Sequence, residues 1–207
     1  MTIIIIAITC LLSITAFYNP AIFSRFQFNA YQIYHKKQLY RLITHGFLHA
    51  DWLHLIINML VLFSFGQGIE NIFLELKYQG IIRYPKLMYG LLYLSSIIIA
   101  SLLSLKKNKH NEWYNSVGAS GAISAIVFAH LFFAPWQRVY FYAFLPIPGI
   151  IFGLLYLIYS QYMSRHGSDN INHDAHFLGA VYGFLFPLLL EPKLIYYFIN
   201  QLTQVSW

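Results

Sequence analysis

The stretch Asn115–His130, NSVGASGAISAIVFAH, sets a serine, Ser120, between glycines at the mouth of an apolar run. From Gly121 to Ala129 the only polar residue is Ser124. Small residues followed by an apolar stretch read as a helix entering a membrane. A buried hydroxyl without a partner costs about 1–3 kcal/mol by mutational measures. Ser120 is therefore either paired locally or has a chemical task.

The rest of the chain agrees with a membrane setting. Of 207 residues, 58% are hydrophobic and 10% are charged, against about 25% charged in an ordinary soluble domain. A soluble chain of this length would lack the polar surface to cover its core. A single cysteine, Cys10, excludes an intrachain disulfide and a cysteine-rich metal site. The net charge of +6 comes with no dense basic tract, so the expected partners are membrane lipids and not nucleic acid.

Six apolar segments are expected to span: Thr2–Tyr18, Leu53–Gly68, Leu87–Leu105, Ala119–Ala134, Val139–Tyr159 and Ala175–Leu190. The first lacks a basic leader and a small-x-small cleavage site, so it reads as a retained span. The second, fourth and sixth are short for a crossing of about 20 residues, and they carry the histidine, asparagine, serine and glycine. Short polar-marked helices among longer apolar ones imply an all-α polytopic bundle with a protected interior. No repeat or domain boundary interrupts residues 1–207, which read as one membrane domain. Asn19–Trp52 mixes aromatics with Arg25, Lys36, Lys37 and Arg41, the composition of an interfacial segment. APWQR before Val139 reads as a tight turn, and Met163–Asp174 as a mobile loop. Eight of the 13 Lys and Arg residues fall in the odd-numbered loops, which by charge alone puts those loops in the cytoplasm.

Three places in these segments can carry chemistry. Gly118-Ala119-Ser120-Gly121 opens a helix whose first turn presents free N–H groups and a positive dipole end, suited to an oxyanion; it can equally be a small-residue packing face. His176 starts the last segment in DAHFLGAVYGF, with Gly179 and Gly183 at i+3 and i+7 on its face. That face admits a very close helix, and Ser120, Ser124 and Ala125 offer a matching one. Their meeting would set His176 beside Ser120, where the imidazole can take the hydroxyl proton and return it to a leaving amine. Asp174 is two residues before His176 and does not share its face, so a dyad is expected and not a triad. Gly179→Val is expected to push the helices apart, and Gly179→Ala to be milder because it adds one methyl. His54 and Asn58, four apart on one face of the second segment, are either oxyanion donors or an interhelical clamp.

Taken jointly, these motifs resemble the rhomboid family of intramembrane serine proteases, from roughly Gln38 to Leu190. GASG resembles the family's GxSG, which implies a nucleophile at Ser120 and structural glycines at Gly118 and Gly121. AHFLGAVYG resembles AHxxGxxxG, implying the general base at His176 and helix packing at Gly179 and Gly183. HLIIN resembles HxxxN, implying oxyanion donors at His54 and Asn58 beside the Ser120 backbone N–H. GQGIE resembles the glycine-to-glutamate end of the family's second helix and implies a structural Glu70. Where the family's first loop usually has Trp-Arg, this chain has Tyr40-Arg41, which keeps an aromatic and a structural Arg41. An aromatic often stands one turn after the family's serine; here that place is Ser124, and the resemblance names no residue to pack on His176.

The resemblance implies a six-span rhomboid-like bundle that cuts transmembrane protein substrates through an acyl-enzyme, with no cofactor and no metal. It implies an N-terminus in the cytoplasm of a bacterial inner membrane, against the charge count. Two other classes stand beside it. One is a non-catalytic relative that binds membrane helices. The other is a metal-handling protein using His45 with His49 or His173 with His176, spaced for chelation but without HExxH.

Overall fold

The computed structural model describes residues 1–141, 145–166, 169 and 171–204. The expected mobile loop at Met163–Asp174 includes residues 167, 168 and 170, which lie outside the described residues. In chain order come α1 (Thr2–Phe17), α2 (Pro20–Phe26), β1 (Phe28–Asn29), α3 (Ala30–His35) and α4 (Arg41–Thr44), then a 3₁₀ turn at His45–Phe47. There follow α5 (Trp52–Tyr78), α6 (Pro85–Asn108), β2 (Asn115–Ser116) and α7 (Ser120–Phe133). The chain continues with β3 (Arg138–Phe141), β4 (Leu145–Pro148), α8 (Gly149–His166), α9 (His173–Leu190) and α10 (Leu194–Thr203).

Two peripheral helices, α1 and α8, are turned inside out relative to those of a soluble bundle. In α1 the buried positions are Thr2, Ile5, Thr9, Ser13 and Ala16, while Ile3, Ile4, Ile8, Leu11 and Leu12 are exposed. In α8 the buried residues are Gly149, Gly153 and Ser160, and Ile151, Leu154, Leu155 and Ile158 face outward. Lipid tails are as apolar as leucine, so helices associate there through close packing of small residues. At the centre lies α7, buried all round from Gly121 to Phe133 and packed on α5, α6 and α9. A helix apolar on every side belongs in such a position.

Among the described residues three helices, α5, α6 and α9, are long and apolar enough to cross a membrane, and α1 and α7 are shorter apolar helices. The sequence boundaries need four corrections. First, α5 is 27 residues and does not stop at Gly68. Gly66 faces Tyr89 and Thr2, and Gly68 faces the His130 ring; these glycines admit neighbours instead of ending the helix. The true stop is Gly80 at φ +75, with the Gly80 N–H on the Lys77 carbonyl and the Ile81 N–H on the Leu76 carbonyl. That is a Schellman cap, which needs a residue tolerant of positive φ. Second, the fifth segment opens as an antiparallel ribbon, with Val139 opposite Ile147 and Tyr140 opposite Pro146. Pro146 and Pro148 lack N–H groups and cannot continue a helix, so α8 starts only at Gly149. Third, α10 was not anticipated. Fourth, the two small sheets make the protein mainly and not purely helical.

The first loop is a built structure. Arg41 donates from Nε to Gln38 Oε1 (2.6 Å) and from its guanidinium to the carbonyls of Ser24 (2.9 Å) and Gln27 (2.7 Å). Next to it, β1 pairs with β2, Phe28 opposite Ser116, and Asn29 Nδ2 donates to the Glu112 carbonyl and Asn115 Oδ1. The strand leading into the serine turn is thereby pinned. At the opposite end of the bundle, Glu70 accepts from the Met1 amino group and from Thr2, and the Thr2 hydroxyl bonds Tyr89.

Candidate active site

Ser120 is the first residue of α7, after Ala119, whose methyl offers no cap bond. The first N–H groups of the helix have no acceptor within it and point out of its positive end. Before them, Gly118 has φ +129, a conformation that L side chains rarely adopt, and its N–H donates to the His45 carbonyl (3.1 Å). A β-carbon on Gly118 would fall 3.0 Å from His54 Nε2 and 3.8 Å from Ser120 Oγ. The His54 ring and the Ser120 hydroxyl thus converge on the space the glycine leaves.

The start of α5 sets His54. Asp51 caps the helix by accepting the His54 N–H at 2.8 Å, as a carboxylate at an N-cap should. The Ala50 N–H makes a long bond, 3.5 Å, to His54 Nδ1. That assigns the proton to Nε2, which makes the nitrogen beside Gly118 a donor. Asn58 is buried and gives one N–H to the His54 carbonyl (2.8 Å); its amide is tied along its own helix and not across to another. Behind His54 stands His49, fully buried, ring centroids 4.9 Å apart and edge-on. The Ser13 hydroxyl donates to the Phe47 carbonyl (2.9 Å) and lies 3.0 Å from His49 Nδ1. Having one proton to give, Ser13 accepts from Nδ1–H. Burial pushes the His49 imidazole down to about 3 and the His45 imidazole down to about 4, so both are neutral props at ordinary pH.

His176 lies in the first turns of α9. Asn172 caps that helix by accepting the Ala175 N–H (3.1 Å), and it also takes the Ser104 hydroxyl of α6 (3.0 Å). The α7–α9 contact is the most extensive in the molecule. A β-carbon on Gly179 would fall 2.0 Å from the Gly121 carbonyl oxygen, and one on Gly183 2.1 Å from that of Ala125. A β-carbon on Gly121 would fall 2.6 Å from Ala100 Cβ and 3.3 Å from the Ala175 carbonyl. Ser120 and His176 are the chain neighbours of Gly121 and Ala175, so the two helices bring them to one level.

The structure thus sets His54 beside the Ser120 turn and the start of α9 against Gly121, while no hydrogen bond joins Ser120 Oγ to His176 and the Asn58 amide bonds only within α5. Asp174 is engaged elsewhere, with Lys107 Nζ at 2.7 Å and Ser164 Oγ at 2.5 Å. The structure adds residues that sequence reasoning missed. The His176 ring stacks on Tyr156 of α8 (centroids 6.2 Å, interplanar 19°) and meets His173 edge-on (5.9 Å). His173 Nε2 lies 3.1 Å from both Asp169 oxygens. Among the described residues no three His, Cys, Asp or Glu side chains gather as a metal site.

Comparison with known proteins now decides the family. A family model described as the Rhomboid domain matches residues 36–193. The chain belongs to the rhomboid family. Relatives include RHOMBOID-like protein 1 of Arabidopsis thaliana, 32% identical over 82% of this chain and 39% of that protein. RHOMBOID-like protein 4 of the same plant is 32% identical over 78% of this chain and 36% of its own length. RHOMBOID-like protein 12, mitochondrial, also from Arabidopsis thaliana, is 28% identical over 69% and 44%. This rhomboid spans less than half the length of each of these relatives. It is a membrane protein, by its family and its apolar helices.

Proposed function

We propose that this rhomboid is an intramembrane serine endopeptidase that cuts transmembrane protein substrates with a Ser120–His176 dyad and no cofactor. The observation that carries the reading is the side-chain-free contact of Gly179 on Gly121, one residue from Ser120 and less than one helical turn from His176. In the reaction, Ser120 Oγ attacks the scissile carbonyl carbon and its proton passes to His176. The resulting oxyanion takes hydrogen bonds from the Ser120 backbone N–H, His54 Nε2–H and Asn58. Collapse expels the amine, which takes the proton from His176. Water, deprotonated by the same imidazole, then releases the acyl group.

The open Ser120–His176 link favours a second reading, a catalytically inactive relative that binds membrane helices. Catalytic hydrogen bonds commonly tighten only with substrate bound, which keeps the protease reading ahead. A fluorophosphonate probe separates the two: labelling of wild type and not of Ser120→Ala supports the protease, and no labelling of either supports the inactive relative.

The donors differ in expected weight. Removing one oxyanion donor costs about 10²–10³ in kcat in a soluble serine protease. His54→Ala should sit near the lower end of that range, because other donors remain. Asn58→Ala should cost less, because its amide is partly spent on the His54 carbonyl. Turnover of a detergent-solubilised transmembrane substrate measures both, and unchanged rates in both variants would reduce the pair to a packing role.

The topology proposed with this activity puts the start of α1 in the cytoplasm of a bacterial inner membrane, with the Ser120 end of the bundle facing outward. A reporter fused after Trp207 is expected in the cytoplasm and one inserted near His166 outside it. The reverse pattern would uphold the loop charges and reject this orientation.

A further inference from the structure

We propose that Tyr156 is the positioning residue for His176, supplied from α8 and held in place by Ser124; this deepens the protease reading and rests on it. One turn after Ser120, α7 carries no ring, only Ser124. The Ser124 hydroxyl lies 2.6 Å from Tyr156 Oη, a short and strong hydroxyl pair. Ser124 itself is buried, so the bond forms away from competing donors, where an unpaired hydroxyl is costly. That tether brings the Tyr156 ring across the gap between α7 and α9. One side of the ring lies nearly parallel to the His176 imidazole at 6.2 Å. The remainder is enclosed by Phe128 of α7 (5.7 Å) and Phe152 of its own helix (6.0 Å).

The geometry has a direct consequence for the base. Among the described residues the imidazole makes no hydrogen bond, and its ring is packed by His173 edge-on from its own helix and by Tyr156 from α8. His173 is itself fixed by Asp169. Among the described residues, Tyr156 supplies the one ring restraint on His176 from outside α9, and through Ser124 it is anchored to the helix that bears Ser120. Nucleophile and base are thereby referenced to a common point four residues along α7. The Ser124–Tyr156 pair makes good the missing aromatic by using a ring from another helix.

The test measures kcat and KM for a transmembrane substrate, with thermal stability alongside. Tyr156→Leu removes ring and tether and should lower kcat by about 10²-fold, the effect of a misplacement of about 1 Å, with KM within about twofold. Tyr156→Phe and Ser124→Ala each cut the tether and keep the ring; each should cost a few-fold in kcat, and the double variant no more than either single, since one bond is lost in all three. The exchange Ser124→Tyr with Tyr156→Ser moves the ring to α7 and should recover much of the Tyr156→Leu loss. Wild-type kcat in Tyr156→Leu overturns the proposal. If that variant does not fold, wild-type kcat in both Tyr156→Phe and Ser124→Ala overturns it. Absence of cleavage and of fluorophosphonate labelling in the unmodified protein is a different failure, that of the protease reading itself.

Discussion

Ser120→Ala and His176→Ala are each expected to abolish substrate cleavage while leaving the bundle folded, and the double variant to be hardly worse than either. The effects coincide because nucleophile and base act as one unit: without the imidazole the hydroxyl is not activated, and without the hydroxyl the imidazole has no proton to take. Among the described residues neither side chain makes a hydrogen bond, so neither substitution strips a partner from a buried group there, and the thermal midpoint should stay near wild type. Cleavage rate, fluorophosphonate labelling and thermal stability read the three parts. Full activity in either single variant, or losses that multiply in the double, would remove the dyad.

The second large effect is expected at Gly179, and here the structure supplies a magnitude that the sequence lacks. The sequence ranks a methyl at this position as milder than a valine, and that ranking stands, but the methyl alone already meets backbone. The β-carbon would lie 2.0 Å from the Gly121 carbonyl oxygen and 2.8 Å from its carbon. Those are backbone atoms of the central helix and cannot swing aside as a side chain can. Overpacking of this kind costs about 1–3 kcal/mol, occasionally more, and here the displacement falls on the turn that holds Ser120. Gly179→Ala should therefore already lose about 10²-fold in cleavage, and Gly179→Val should lose more and fall in thermal stability. Gly183→Ala meets the Ala125 carbonyl oxygen at 2.1 Å, one turn deeper; its cost should appear mainly as stability. Wild-type cleavage in Gly179→Ala would mean that the helices relax apart without moving the site.

Much of the molecule was legible in the sequence because its signals are local. A charged fraction of 10% is sufficient for the membrane class. His176, Gly179 and Gly183 recur at helical spacing, so the face along which α9 meets α7 can be read from one segment without its partner. The same holds for His54 and Asn58 on α5. Positions within one helix have a known angular relation, and the residue types tell which face is buried.

What the tertiary structure alone decided are relations between segments. The sequence suggests that Gly66 and Gly68 end a helix; only the neighbours that fill their places, Tyr89, Thr2 and His130, explain why α5 runs on to Tyr78. Tyr156 looks like one aromatic among many in a lipid-facing helix. Its meeting with Ser124 and His176 depends on the rotation of α8, whose Gly149 and Gly153 lie against Leu131 and Phe128 of α7. The severity of Gly179→Ala likewise depends on a gap between two backbones. Helical periodicity dictates which face of a segment is sticky, but the distance and rotation at which two faces lock are properties of the packed bundle, fixed by all the helices at once.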